Sequence, residues 1–202
     1  MESLAYIEKK HGIYRGDGVV NLDNVGRNDL AILFHELGFR LGAEIGVLLG
    51  RYSHTLCRRN PDLRLFSVDP FLAFPEYKDK TPQSQWDLNY EETKRRLSGY
   101  NCTIIRKKSM DAVVSFPDNF LDFVYIDGNH EFASETNDIH EWSKKVRPGG
   151  IIAGHDYVQY KASSFSHSYE VVNAYTQAYR IHPLFIIGRK VDHFRSWFWV
   201  KE

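Results

Sequence analysis

Residues 44–53, Glu44-Ile45-Gly46-Val47-Leu48-Leu49-Gly50-Arg51-Tyr52-Ser53, constrain the fold more than any other stretch of the chain. An apolar run from Leu41 leads into Glu44 and Ile45. Two glycines follow four positions apart, and a helical pattern begins at Ser53. A strand that turns into a helix over two glycines opens an α/β sheet in which backbone, rather than side chain, approaches a ligand. Glycine suits both the turn and the closeness because it has no Cβ. The carboxylate at Glu44 narrows the ligand. It would repel a pyrophosphate seated at this turn and attract a cationic amino-acid end.

The rest of the chain alternates strand and helix patterns. Residues 1–28 are polar, carry Gly12, Gly16 and Gly18, and read as an irregular N-terminal arm ahead of a domain spanning 29–202. Leu30, Leu33, Phe34 and Leu37 have helical spacing over 29–37, and Gly38 ends that helix. Strands are expected at 41–46, 63–69, 102–106, 121–127, 151–154, 184–187 and 197–200. Further helices are expected at 53–59, 134–146 and 169–179. Repeated βα units imply an α/β fold, a Rossmann-like, doubly wound, mostly parallel sheet with helices on both faces. The 202 residues suffice for one such domain with a full core. A formal net charge of +0 gives no bulk pull toward nucleic acid or an anionic membrane, so neither is expected as a partner. Cys57 and Cys102 lack metal spacing and read as reduced thiols of a cytoplasmic protein. No apolar run suggests a signal peptide or reaches membrane-spanning length.

In such sheets ligands sit at the carboxyl ends of the strands. Asp69 ends the second strand, roughly 20 to 25 residues after the glycine turn, where a carboxylate accepts ribose hydroxyls. It also suits a turn cap before Pro70. Ser109 and Met110 follow the third strand and could meet an adenine edge and face, although the segment reads equally as a surface loop. The fourth strand ends in Ile126-Asp127-Gly128-Asn129-His130 and the fifth in Gly154-His155-Asp156-Tyr157. Neighbouring strands would bring two carboxylates and two imidazoles around one crevice. Those groups can hold a divalent ion or supply a general base. Two aromatic-rich segments, with Phe71, Phe74, Tyr77 and Trp86 in one and Tyr157, Tyr160, Phe165 and His167 in the other, suit either a lid over an acceptor or ordinary packing. The clusters Lys94-Arg95-Arg96 and Arg106-Lys107-Lys108 read as solvated surface.

The glycine turn, Asp69, the segment Tyr125 to His130, Arg147-Pro148-Gly149-Gly150 and the segment Gly154 to Tyr157 occur in the order of a known family. In these features the chain resembles the class I S-adenosyl-L-methionine (SAM)-dependent methyltransferases of the methyltransferase-24 type, in the branch with catechol and macrolide-sugar O-methyltransferases. The likeness covers roughly residues 29–200. It implies a seven-stranded sheet of order 3-2-1-4-5-7-6 with the last strand antiparallel, and transfer of the SAM methyl group to a hydroxyl of a small molecule or sugar. By this resemblance Glu44, Gly46, Gly50 and Ser53 hold the methionine end of SAM, and Asp69 holds the ribose. Ser109, Met110 and Asp127 complete the cofactor site. A divalent metal such as Mg²⁺ or Mn²⁺ would fall on Asp127, His155 and Asp156. His155 departs from the family's acidic pair, which favours softer ions or no ion. His130, three residues after Asp127, matches the family's base, and Asp127 and His155 join it as catalytic candidates.

Rival classes are less well matched. A nicotinamide dehydrogenase would show a third glycine where Arg51 and Tyr52 stand. A nucleic-acid base methyltransferase would carry an Asn-Pro-Pro-Tyr-like segment where Asp127 to His130 stand. A metal-free N- or O-methyltransferase using a histidine base and a non-catalytic SAM-binding module both stay open, as does a homo-oligomer.

Overall fold

The central strand segments are apolar and buried nearly throughout, which demands cover on both faces. The computed structural model describes residues 2–13, 18–73, 81–159, 166–189 and 194–202. Among these, the strands are β1 (Val19–Leu22), β2 (Leu41–Ile45), β3 (Arg64–Val68), β4 (Cys102–Ile105), β5 (Leu121–Ile126), β6 (Val146–Tyr157), β7 (Leu184–Ile187) and β8 (Arg195–Val200). The helices are α1 (Glu2–His11), α2 (Arg27–Glu36), α3 (Arg51–Arg59), α4 (Gln83–Leu97), α5 (Ser109–Val113), α6 (Phe132–Lys145) and α7 (Ser168–Tyr179). Successive strand residues point to opposite faces. Ala43, Ile45, Val124, Ile126 and Ile152 therefore meet Val113, Ile139, Trp142 and Val172 of α5, α6 and α7. Phe123, Tyr125, Ala153 and Phe198 meet Ile7, Phe34 and Leu56 of α1, α2 and α3.

One open sheet has the order β1-β7-β8-β6-β5-β2-β3-β4. Strand β8 is antiparallel to β6 and β7, and the remaining pairs are parallel. The seven expected strands are present in the expected order, with an eighth at the edge. That eighth strand corrects the reading of the first 28 residues as irregular. β1 pairs with β7 from Val19↔Leu184 to Leu22↔Ile187. Ahead of it, α1 buries Ile7 completely, and the Ser3 hydroxyl donates to the Gly149 carbonyl at 2.6 Å. Gly16 lies outside the described residues.

Two further differences bear on the site. Helix α4 occupies part of the segment read as an aromatic loop. Its buried face is Asn89, Thr93 and Leu97, so a search for apolar periodicity misses it. Strand β6 begins at Val146 rather than Ile151. Its register against β5 shifts between Leu121 and Phe123, which accommodates Pro148, Gly149 and Gly150. No helix among the described residues is long and apolar enough to cross a membrane. The order sets β5 between β2 and β6, so the carboxyl ends of these three strands form one crevice.

Candidate active site

The glycine turn is locked to its neighbours by backbone contacts. Gly46 N–H donates to Val68 O at 2.9 Å, and Asp127 N–H donates to Ile45 O at 2.7 Å. Gly46 has φ +87°, and a Cβ there would lie 2.6 Å from Gly128 Cα and closer still to the Asp127 carbonyl. Only glycine permits both the left-handed backbone and that approach. Gly50, also left-handed, caps α3. Asp69 secures the turn from below. Its Oδ2 accepts from Val47 N–H and Leu48 N–H at 2.8 and 3.0 Å, and its Oδ1 accepts from Phe71 N–H at 2.7 Å. Thr93 of α4, which sequence reasoning did not single out, donates its hydroxyl to the Leu48 carbonyl at 3.0 Å.

Glu44 lies beneath this turn, 1% exposed. The Ser53 hydroxyl donates to its Oε2, and Ser53 also bonds Ser67 Oγ at 2.8 Å. Burial holds the Glu44 carboxyl well above the usual carboxylate range, against the opposing Ser53 hydrogen bond. Glu44 and Ser53 are thus bound to each other under the turn. Ser109 is similarly engaged, donating to Asp138 Oδ1 and accepting from Trp142 Nε1 at 2.7 Å. Met110 packs on the apolar core. Burial raises the Asp138 carboxyl to about 6, while the Ser109 hydrogen bond opposes the rise.

The ends of β5 and β6 bring the expected charged residues together. His130 Nε2 lies 3.0 Å from Asp156 Oδ2 and 3.5 Å from Asp127 Oδ1. His155 Nδ1 lies 2.9 Å from Asp156 Oδ1 and 3.7 Å from Asp127 Oδ1. Asp156 has φ +54°, and the register of β6 against β8 shifts between Gly154 and Tyr157. Such an irregularity re-aims side chains at a strand end. Among the described residues, the group whose ligand atoms converge within 4.8 Å of one another is Asp127, His130 and Asp156. His130 thus joins the two aspartates, and His155 flanks them. Two carboxylate oxygens and one imidazole nitrogen suit Mn²⁺, Fe²⁺ or Zn²⁺ chemically better than Mg²⁺.

Two residues unremarked in the sequence complete this cluster. The Ser168 hydroxyl, at the start of α7, lies 3.2 Å from His130 Nδ1 and donates to Glu135 Oε2 at 2.7 Å. Glu135 is 1% exposed, and its Oε1 has no hydrogen-bond partner among the described residues. The signal for it was an acid on the apolar face of α6, in helical register with Asp138, Ile139 and Trp142. Burial would lower the His130 pKa, but hydrogen bonds with Asp127, Asp156 and Glu135 outweigh it and raise it to about 12. Burial works the other way on Asp156, where bonds from His130 and His155 prevail and hold the carboxyl well below the usual range. On the far side of Asp127, Arg27 Nη1 lies 3.6 Å from Oδ2.

The described residues of the two aromatic segments are engaged in packing and hydrogen bonds. Phe71 is fully buried, with its ring centroid 5.1 Å from that of Tyr90. Tyr157 packs on the core and exchanges hydrogen bonds with Asn173. His167 accepts from Phe132 N–H at 3.2 Å, and Trp86 is half-buried. Phe74, Tyr77, Tyr160 and Phe165 lie outside the described residues. Lys94, Arg95 and Arg96 pair with Glu91 and Glu92 on the surface of α4.

Comparison with known proteins bears on the family and the fold. A family model described as a methyltransferase domain matches residues 43–157, from β2 through the end of β6. Uncharacterized protein R132 of Acanthamoeba polyphaga mimivirus is 26% identical over 125 residues, 59% of this chain and 52% of that protein. The chain thus spans about half the length of that relative. An O-methyltransferase from Bacillus cereus, solved in complex with SAH, superposes with a TM-score of 0.63 at 16% identity over 99% of this chain and 90% of that one. The N-methyltransferase NodS from Bradyrhizobium japonicum superposes with a TM-score of 0.57 at 14% identity over 87% and 95%. At such identities the likeness is one of fold, and it extends to enzymes that methylate oxygen and nitrogen alike. The model matched over residues 43–157 covers more than half of the chain, which therefore belongs to the methyltransferase domain family.

Proposed function

We propose that this chain transfers the methyl group of SAM to a hydroxyl of a small molecule or sugar. The observation that carries the reading is the convergence of Asp127, His130 and Asp156 beside the glycine turn. The sulfonium methyl is already activated, so the protein's task is to align the acceptor oxygen and remove its proton. Gly46 and Gly50 let backbone approach the amino-acid end of SAM, and Asp69, whose carboxylate holds that turn through Val47, Leu48 and Phe71 N–H, is the candidate for the ribose hydroxyls. Asp127 and Asp156 would hold a divalent ion, which when bound lowers the acceptor hydroxyl's pKa, while His130 beside them stays free to take the proton.

The proton acceptor is an imidazole. Hydrogen bonds with Asp127, Asp156 and Glu135 raise the His130 pKa to about 12 and so favour its protonated form. The imidazole takes a proton from the acceptor only when positive charge sits beside Asp127 and Asp156. The raised His130 pKa also favours a second reading, an ion-free transferase in which the imidazolium is itself the resident cation. His155, held at 2.9 Å from Asp156, is then the base.

Calorimetric titration of Mg²⁺, Mn²⁺ and Zn²⁺ into protein saturated with S-adenosylhomocysteine separates the two. Saturable binding that Asp156→Ala abolishes supports the ion-assisted O-methyltransferase. Absence of binding removes the ion and leaves His155 as base. Transfer of labelled methyl to catechols, sugars and amines then identifies the acceptor class, and transfer only to amines would refute the hydroxyl assignment.

A further inference from the structure

The two oxygens of Asp127 face different partners. Oδ1 looks toward His130 and His155, and Oδ2 toward Arg27. Arg27 opens α2, and its carbonyl accepts a hydrogen bond from the Tyr52 hydroxyl at 2.8 Å. Its guanidinium lies over the Tyr52 ring, 5.3 Å from the centroid. Tyr52 stands two residues past Gly50 in the first turn of α3. These contacts fix Arg27 at the mouth of the glycine turn, although it comes from outside residues 43–157. A guanidinium carries five N–H donors in a planar fork. Here Nη1 lies 3.6 Å from Asp127 Oδ2, and the side chain remains 42% exposed.

Glu44, expected to meet the cationic end of the methyl donor, is sealed under the turn by Ser53. Above the turn Arg27 and Asp127 stand side by side, Nη1 to Oδ2 at 3.6 Å. An α-amino acid presents an ammonium and a carboxylate on one carbon, and this adjacent pair is its electrostatic complement. We propose that Arg27 binds the α-carboxylate of the methyl donor through its guanidinium fork, with Asp127 Oδ2 facing the adjoining ammonium. The inference rests on the reading of this crevice as the SAM pocket. A fork of parallel donors matches a carboxylate in a way that an ammonium does not. The alternative role, neutralising Asp127 within the folded chain, involves no ligand carboxylate.

The test compares two ligands by calorimetry. S-adenosylhomocysteine has the amino-acid end, whereas 5′-methylthioadenosine has the same nucleoside and thioether without it. Arg27→Ala should weaken S-adenosylhomocysteine by about 10- to 100-fold, the range for hydrogen bonds to a charged group, and leave 5′-methylthioadenosine unchanged. Arg27→Lys should recover part of the loss. Equal losses on both ligands, or no loss on either, would overturn the inference. Failure of S-adenosylhomocysteine to bind the unaltered protein would overturn the reading of the pocket itself. Should Arg27→Ala fail to fold, the unaltered protein is titrated with the decarboxylated analogue of S-adenosylhomocysteine. A matching 10- to 100-fold loss supports the carboxylate contact, and undiminished binding refutes it.

Discussion

Gly46→Ala and Gly38→Ala impose the same backbone strain in different surroundings, and the difference between them measures how rigidly the site is built. Gly38 has φ +69° with nothing within 4 Å of an added Cβ. Its substitution should therefore cost only the left-handed conformation, about 1–2 kcal/mol. Gly46 has φ +87°, and its Cβ would stand 2.5 Å from the Asp127 carbonyl carbon. Real Cβ contacts essentially never fall below 3.0 Å, so that carbonyl must withdraw by half an ångström or more. Withdrawal stretches the 2.7 Å bond from Asp127 N–H to Ile45 O. Leaving buried backbone groups unsatisfied adds about 1–3 kcal/mol, so Gly46→Ala should cost roughly 2–5 kcal/mol in all. Urea unfolding followed by fluorescence of the buried Trp142 and Trp197 measures both variants. The withdrawal also shifts Asp127 relative to the turn, so affinity for S-adenosylhomocysteine should fall in Gly46→Ala and not in Gly38→Ala. Equal costs for the two variants would refute the claim that the ends of β2 and β5 are held in fixed contact.

Two further outcomes follow from the buried charges. Because burial holds Glu44 protonated above its unfolded value of 4.5, the folded chain binds the extra proton and this group lowers stability as pH rises from there, by up to about 1.4 kcal/mol per pH unit. Glu44→Gln removes that dependence, so its stability relative to the unaltered chain should improve from pH 5 to pH 7, and urea midpoints that keep a constant difference would contradict it. His130 has the opposite sign: its pKa is raised from 6.5 to about 12, so its stabilisation is complete below pH 6.5 and declines as pH climbs toward 12. His130→Asn should therefore lower the melting temperature more at pH 6 than at pH 9, and the same substitution should reduce turnover far more than affinity for S-adenosylhomocysteine. Equal melting-temperature losses at the two pH values would show that the carboxylates do not hold the imidazolium.

Legibility in the sequence followed the range of the interactions. The strand at 184–187 was placed to the residue, and the apolar runs of β2, β3 and β5 to within a residue or so at either end, because a continuous apolar run is a local signal and nearly every residue in them is buried. Helix α4 escaped because two of its three buried positions are Asn89 and Thr93, whose roles are to meet Gln85 and the Leu48 carbonyl. β1 escaped because four residues with two half-exposed positions carry little pattern, and its identity as a strand depends on finding β7 beside it. Ser168 and Glu135 escaped because a serine and a glutamate at helix starts read as ordinary capping residues until His130 is brought against them.

By itself, the sequence determined the α/β class, the glycine turn and the set of chemical groups gathered at the strand ends. These follow from short-range rules: side-chain periodicity, the backbone freedom of glycine, and the charge of each residue. Tertiary structure decided which of those groups face one another. It sealed Glu44 under the turn with Ser53, brought His130 to Asp156 from the neighbouring strand, and set Arg27 against Asp127. The physical reason is that burial and mutual distance, which govern charge state and contact, depend on the order of the strands and on the helices packed over them. That arrangement is fixed by long-range packing and is not written in any local stretch of residues.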